Sequence, residues 1–182
     1  MNRKIFAALV VMVLAIAAFA GMNNPVVGGQ EMYPTKNIIE NAVNSADHTT
    51  LVAAVKAAGL VETLEGAGPF TVFAPTNEAF NKLPAGTVET LLKPENKATL
   101  SKVLTYHVVA GRFSAQDLMK MIKEGNGKAE LTTVEGGKLW AMQNGKTIVL
   151  KDEKGDTATV TIANVFQSNG VIHVIDTVVM PN

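Results

Sequence analysis

From Lys128 to the C-terminus one device repeats: a short run of β-formers, then a Gly-Gly, Asn-Gly, Lys-Gly or Asn-Gly pair. Glycine and asparagine tolerate the left-handed backbone that tight hairpin turns require. The segment AELTTVEGGKLWAMQNGKTIVLKDEKGDTATVTIANVFQSNGVIHVIDTVVM therefore predicts a meander of about five strands. Such a meander must bury at least one face against another layer. Its last member, NGVIHVIDTVVMP (Asn169 to Pro181), is apolar on both faces. Val171, His173, Ile175, Thr177 and Val179 share one side, and Ile172, Val174, Asp176, Val178 and Met180 the other. That pattern predicts a central strand between two layers. It also puts His173 and Asp176 on opposite faces, where they form no dyad. Each is expected to satisfy backbone groups nearby and fix the register of the strand.

The first half reads as helices. Thr35 is expected to cap a helix through NIIENAVNSA, and Asp47 a second in which Leu51, Val52, Val55 and Ala58 recur at helical spacing before Gly59. Phe70 to Phe73 is a β-rich run ended by Pro75, and Thr76 opens the short helix NEAFNKLP. Two apolar-faced helices follow around Pro94, Thr87 to Leu92 and Glu95 to Leu104. Tyr106 to Val109 reads as a short strand, and Ser114 caps a helix containing Leu118, Met119 and Ile122. Together the two halves define an α+β fold: a twisted β-sandwich or barrel with helices packed on it.

Ahead of this domain, Arg3 and Lys4 precede the unbroken apolar run Ile5 to Ala20, which ends in Ala18-Phe19-Ala20. A basic start, an apolar stretch and a small-x-small end make a signal peptide, with cleavage expected before Gly21. The run is shorter than the roughly 20 residues a membrane-spanning helix needs, so membrane contact is expected only transiently, through the signal. Residues 21–34, GMNNPVVGGQEMYP, read as a flexible tether. The single domain is taken from 35 to 182, exported to the periplasm or beyond. With no cysteine, its core must hold without disulfides.

Two co-linear blocks resemble the fasciclin (FAS1) domain. The first is GPFTVFAPTNEAFNKLP, Gly68 to Pro84, completed by LTYHVVAG, Leu104 to Gly111; the second is NGVIHVIDTVVMP. ELTTVEG sits between them, where the family carries its middle strand. The chain resembles the single-domain secreted bacterial members. The resemblance implies a wedge-shaped β-sandwich decorated with helices, working outside the cell in adhesion or matrix contact. It also marks Thr76, Asn77, Asn169, Gly170, His173 and Asp176 as the structural motif.

Catalytic groupings are missing from the sequence. There is no Gly-x-Ser-x-Gly elbow, no His-Glu-x-x-His pair and no glycine-rich phosphate loop. His48, His107 and His173 lack ligand spacing, and KDEKGD around Asp152 to Asp156 lacks the oxygen pattern of a calcium loop. No enzyme activity, metal or cofactor is expected. The charges balance at 16 basic and 16 acidic residues, which gives nucleic acid no basic face. In animal members a tyrosine-histidine pair flanked by branched apolar residues is linked to adhesion, and Tyr106-His107 resembles it. If both lie in a strand, they point to opposite faces and one of them is core. A second adhesive motif, an acidic residue followed by two apolar ones, survives here as Val165 and Phe166, but Asn164 replaces the acid. Integrin recognition through a metal needs that carboxylate. The partner expected is a cell-surface or matrix protein or glycan, contacted at Tyr106, His107, Val165 and Phe166. The alternative is a carrier for a small apolar ligand such as a carotenoid or lipid, held in a groove between helices and sheet. Trp140, the only tryptophan, is expected to fill the core, with a sugar- or pigment-stacking role the lesser reading.

Overall fold

The computed structural model describes residues 24–182. The expected signal peptide, residues 1–20, lies outside them. No helix among the described residues is long and apolar enough to cross a membrane.

The punctuated half folds as the meander its turns dictate: β5 (Lys128–Thr132), β6 (Lys138–Asn144), β7 (Thr147–Lys151), β8 (Thr157–Gln167) and β9 (Gly170–Ile175). Gly145 turns the β6–β7 hairpin at φ 61, in the left-handed region that favours glycine. Gly170 answers a different need: a Cβ there would lie 2.2 Å from the carbonyl oxygen of Phe70. That contact exists because β3 (Phe70–Pro75) runs parallel to β9, Phe70 opposite Gly170 and Pro75 opposite Ile175. β4 (Val108–Ala110) pairs antiparallel with β3, giving the sheet order β4-β3-β9-β8-β7-β6-β5. The outer strands then meet. Val109 bridges Thr133, and the Val134 N–H donates to the Val108 carbonyl at 2.8 Å. The sheet therefore nearly closes on itself, which removes most exposed strand edge.

Among the described residues seven α-helices surround it: α1 (Ile38–Ala42), α2 (Thr49–Ala58), α3 (Val61–Glu65), α4 (Asn77–Asn81), α5 (Thr87–Leu91), α6 (Lys97–Tyr106) and α7 (Ala115–Glu124). Thr76 caps α4 and Ser114 caps α7 as their side chains predict. Two expected caps shift. Asn37 rather than Thr35 caps α1, in a reciprocal box with Glu40, and Asp47 lies within a 3-10 turn, Ala46–His48, that leads into α2.

Two larger corrections bear on function. Tyr106 is the last residue of α6 and His107 its C-cap, so the expected strand begins only at Val108. The periodicity that decides it is Leu100, Val103, Leu104 and His107, which is helical. The stretch read as a tether, in its described part, instead forms a small hairpin, β1 (Val26–Val27) with β2 (Gln30–Glu31). Val27 and Met32 are buried in the core at 3% and 2% exposure. Asn41 locks this segment down: it accepts from the Tyr33 N–H, donates to the Tyr33 carbonyl at 2.8 Å, and bonds the buried Gln167 of β8.

β3 and β9 separate two cores. Toward the helices, Val72, Ala74, Ile172 and Val174 pack with Leu51, Val55, Leu100 and Leu104. Toward the interior of the closing sheet, Phe73 and Ile175 pack with Leu131, Leu139 and Leu150, joined by Leu118 and Ile122 of α7.

Candidate functional site

The tyrosine-histidine pair is inside the protein. The Tyr106 hydroxyl donates to the Lys138 carbonyl at 2.5 Å and accepts the Glu153 N–H at 3.2 Å, and loss of solvent pushes its pKa up to about 12. His107 bonds the Val103 carbonyl through Nδ1 at 2.8 Å and accepts the Val179 N–H at Nε2, 3.2 Å away. One nitrogen donates and the other accepts, which defines the neutral ring. Burial brings its pKa down to about 4. Tyr106 is 0% and His107 2% exposed, so both are core where one was expected, and neither is open to the partner contact expected of the pair.

The second motif splits. Val165 is buried in the helix-side core and Phe166 is 39% exposed. Asn164 adopts φ 60 within a stretch where the β8–β9 register slips twice. Its Oδ1 accepts the Ala115 N–H at the start of α7 at 2.7 Å, and its own N–H donates to His173 Nδ1 at 3.3 Å. Asn164, where the adhesive motif calls for an acid, here holds the first N–H of α7. His173 Nε2 donates to the Phe113 carbonyl at 2.8 Å, and its ring stacks on Phe73 with centroids 5.7 Å apart. Burial lowers its pKa.

The other motif residues are joints between elements. Asn169 accepts the Ile38 N–H at 3.0 Å and donates to the carbonyls of Leu64 and Gly66, pinning α1 and α3 to the β8–β9 turn. Asn77 accepts from the Thr50 N–H and the Thr49 hydroxyl and donates to the Ala46 carbonyl, tying α4 to α2. Asp176, just past β9, accepts the Thr159 N–H at 2.8 Å. Its exposed pair with Lys82, at 3.8 Å, adds little.

An apolar cavity of about 60 Å³ lies between the helices and the β3–β9 face, lined by Ile39, Leu51, Val55, Val72, Leu104 and Ile172 among others. His48 is part of its wall, 3% exposed, with Nδ1 bonded to the Ser45 hydroxyl at 2.8 Å. Its Nε2 lies near the Ala74 carbonyl but makes no hydrogen bond of good geometry, and burial lowers the pKa of the ring. Among the described residues no three His, Cys, Asp or Glu side chains converge as metal ligands would.

Outside the sheet, Trp140 does not fill the core as expected. It is only partly buried, on the outward side of β6. Lys128 Nζ sits 5.4 Å from the ring centroid, and the indole N–H donates to Glu130 at 3.4 Å. The period-2 alternation of KLWAM carried the signal for this: Leu139 and Ala141 are the inward pair, each 0% exposed.

A nearly closed mixed sheet with a helical cover and internally bonded histidines defines a FAS1-type α+β domain. The fasciclin domain family model matches residues 46–181, and the chain belongs to that family. It is 45% identical to the Synechocystis protein sll1483 over 96% of this chain and 97% of that protein. It is 40% identical to the cell surface glycolipoprotein MPB83 of Mycobacterium bovis, over 67% of this chain and 48% of that one. The fold also matches the solved FAS1 domain pair of the insect cell adhesion molecule Fasciclin I. The TM-score is 0.69 at 19% identity, over 78% of this chain and 50% of that chain.

Proposed function

We propose that the protein is an exported, non-enzymatic FAS1 module that associates with a cell surface or matrix through contacts with protein or glycan. The observation that carries this reading is the burial of all three histidines, at 3%, 2% and 0% exposure, each held within the frame. General acid–base chemistry needs groups that reach a substrate and titrate near working pH. The surface is what such a molecule offers instead. Names borne by relatives, a cell surface glycolipoprotein and a cell adhesion molecule, point the same way. The apolar run of residues 5–20 supports export. Partner contact falls to exposed side chains such as Phe166, because Tyr106, His107 and Val165 are buried. A deletion strain compared with its parent in a surface-attachment assay, with cell fractions probed for the protein, tests this. Unchanged attachment with no partner retained in pull-downs rejects it.

The apolar cavity supports a second reading, extracytoplasmic carriage of a small apolar ligand. An engineered apolar cavity near 150 Å³ takes up benzene. At about 60 Å³ this one accepts a carotenoid or lipid chain only if the helices part from the sheet. Organic extraction of protein purified from its native cells, followed by mass spectrometry, decides it: an empty extract removes the carrier reading.

A further inference from the structure

We propose that the outer face of β5 to β8 binds an acidic polysaccharide, with Trp140 as the platform on which one sugar ring stacks. The proposal rests on the surface-association reading and gives its partner a chemistry.

The strand register builds the face. Trp140 stands opposite Glu130 on β5 and Lys151 on β7, and Met142 stands opposite Lys128 and Val149. Val149 in turn stands opposite Thr159 of β8. These positions alternate with the inward ones, so they point away from the core. α7, which touches β5 and β6, reaches them from the inner side through Leu118 and Ile122. The outward face is left with an indole beside two apolar neighbours and a rim of lysines.

Charge selects the partner. The chain as a whole balances 16 basic against 16 acidic residues, yet this face carries Lys128, Lys138 and Lys151 against one carboxylate, Glu130. Glu130 is engaged by Lys138 at 2.9 Å and by the indole N–H, which fixes the edge of the ring. Among the described residues Lys128 and Lys151 have no ion-pair partner. Lys128 instead covers the ring, a cation–π contact that a better ligand can displace. A pyranose presents a face of C–H bonds that suits an indole, while its hydroxyls suit Thr159. The carboxylate of a uronic acid supplies the charge that Lys128 and Lys151 lack. A neutral sugar leaves both lysines unanswered. Two lysines are too few for nucleic acid, whose binding draws on many phosphate contacts.

Affinity electrophoresis of the mature protein through gels carrying alginate, dextran or polyglutamate tests the proposal. Alginate is expected to retard the protein and dextran not to. Trp140→Ala is expected to weaken retardation roughly tenfold, the loss of about one stacked ring. Trp140→Phe is expected to keep most of it, and Lys151→Gln to flatten its dependence on salt. Alginate binding that is unchanged in a folded Trp140→Ala protein overturns the platform. Where that variant fails to fold, unchanged binding by Lys151→Gln overturns the site. Equal retardation by dextran overturns the acidic class, and equal, tryptophan-independent retardation by polyglutamate reduces the face to a bare cation patch. Complementing the deletion strain with Trp140→Ala separates the two readings. Normal attachment by a variant that no longer binds alginate shows that the glycan site is not the contact through which the protein attaches, and overturns its place in surface association while that association stands. A parent strain that never needed the protein for attachment discards surface association, while the gels still decide the glycan site.

Discussion

The two cores on either side of β3 and β9 are built differently. Inside the closing sheet, Leu118, Leu139, Leu150 and Ile175 are each 0% exposed. On the helix side an apolar void persists, and one buried ring nitrogen goes without a hydrogen bond. The sheet interior is filled by strands whose hairpin turns fix their register, so inward side chains meet at set positions. The helical cover is assembled from pieces such as α1, α3 and α4, each 5 residues long. Helices that short have no stability of their own and adopt whatever packing their joints allow. The slack therefore collects under the helices.

The largest expected effect is a test of that difference by truncation. Leu150→Ala in the sheet interior is expected to cost about 3–5 kcal/mol, since a rigid site cannot collapse around the space left. Leu51→Ala, at the edge of the existing void, is expected to cost nearer 2–3 kcal/mol. Urea unfolding of both variants measures it, and equal losses break the comparison.

Acid acts next. His107 is neutral and fully enclosed, with its folded pKa lowered to about 4, mainly by burial. Above pH ~6.5, its value in the unfolded chain, the ring is neutral in both states and stability is intact. As pH falls from there toward 4 the unfolded chain takes up the proton and the folded one does not, so stability drops. The slope is about 1.4 kcal/mol per pH unit for one such group, or roughly 3 kcal/mol across the window. His48 and His173 are shifted in the same direction by burial. Denaturant melts between pH 7 and 4 should show the fall, with a shallower slope in His107→Gln. A flat profile would mean that the ring has access to solvent.

Asn169 holds the two regions together, and its removal is expected to loosen only one of them. Asn169→Ala leaves the Ile38 N–H and the carbonyls of Leu64 and Gly66 without their partner, at a cost of about 2–3 kcal/mol. Hydrogen exchange should show faster opening at α1 and α3 while the amides of β6 and β7 keep their protection. Uniform loss of protection would show that the cover and the sheet open as one unit.

Much of this division was legible in the sequence, and the exceptions have physical causes. The turn pairs and the alternation in KLWAM and TIVLK specify the meander, and the doubly apolar GVIHVI specifies its central strand. The β1–β2 hairpin was hidden because Gly28-Gly29, beside asparagines and a proline, has the composition of a linker; only the flanking apolar pair signals a turn. Tyr106 and His107 were hidden because the branched residues after them favour a strand, while the helix that owns them is recognised only from residues further back. The cavity has no signature at all: it arises where side chains from several separate segments fail to meet, and no local pattern encodes a misfit. The outward Trp140 was legible in the alternation, but a lone tryptophan in an apolar run invites the reading of core.

The finest test of the comparison adds a methylene instead of removing one. Val55, on α2, lines the void; Val109, on β4, belongs to the sheet interior; both are 4% exposed. In Val55→Ile the extra group enters existing space, and burying it is worth up to about 0.8 kcal/mol. In Val109→Ile the same group meets a filled interior, where overpacking costs about 1 kcal/mol or more. Exposure, residue type and added volume are matched, and valine and isoleucine are both β-branched, so the helix and strand settings weigh little beside the packing of the two cores. The expected outcome is a small rise in Tm for the first variant and a fall for the second, read in parallel thermal melts. Equal falls would mean that the helix-side residues cannot move enough to admit even one carbon, and the void would then be rigid rather than slack.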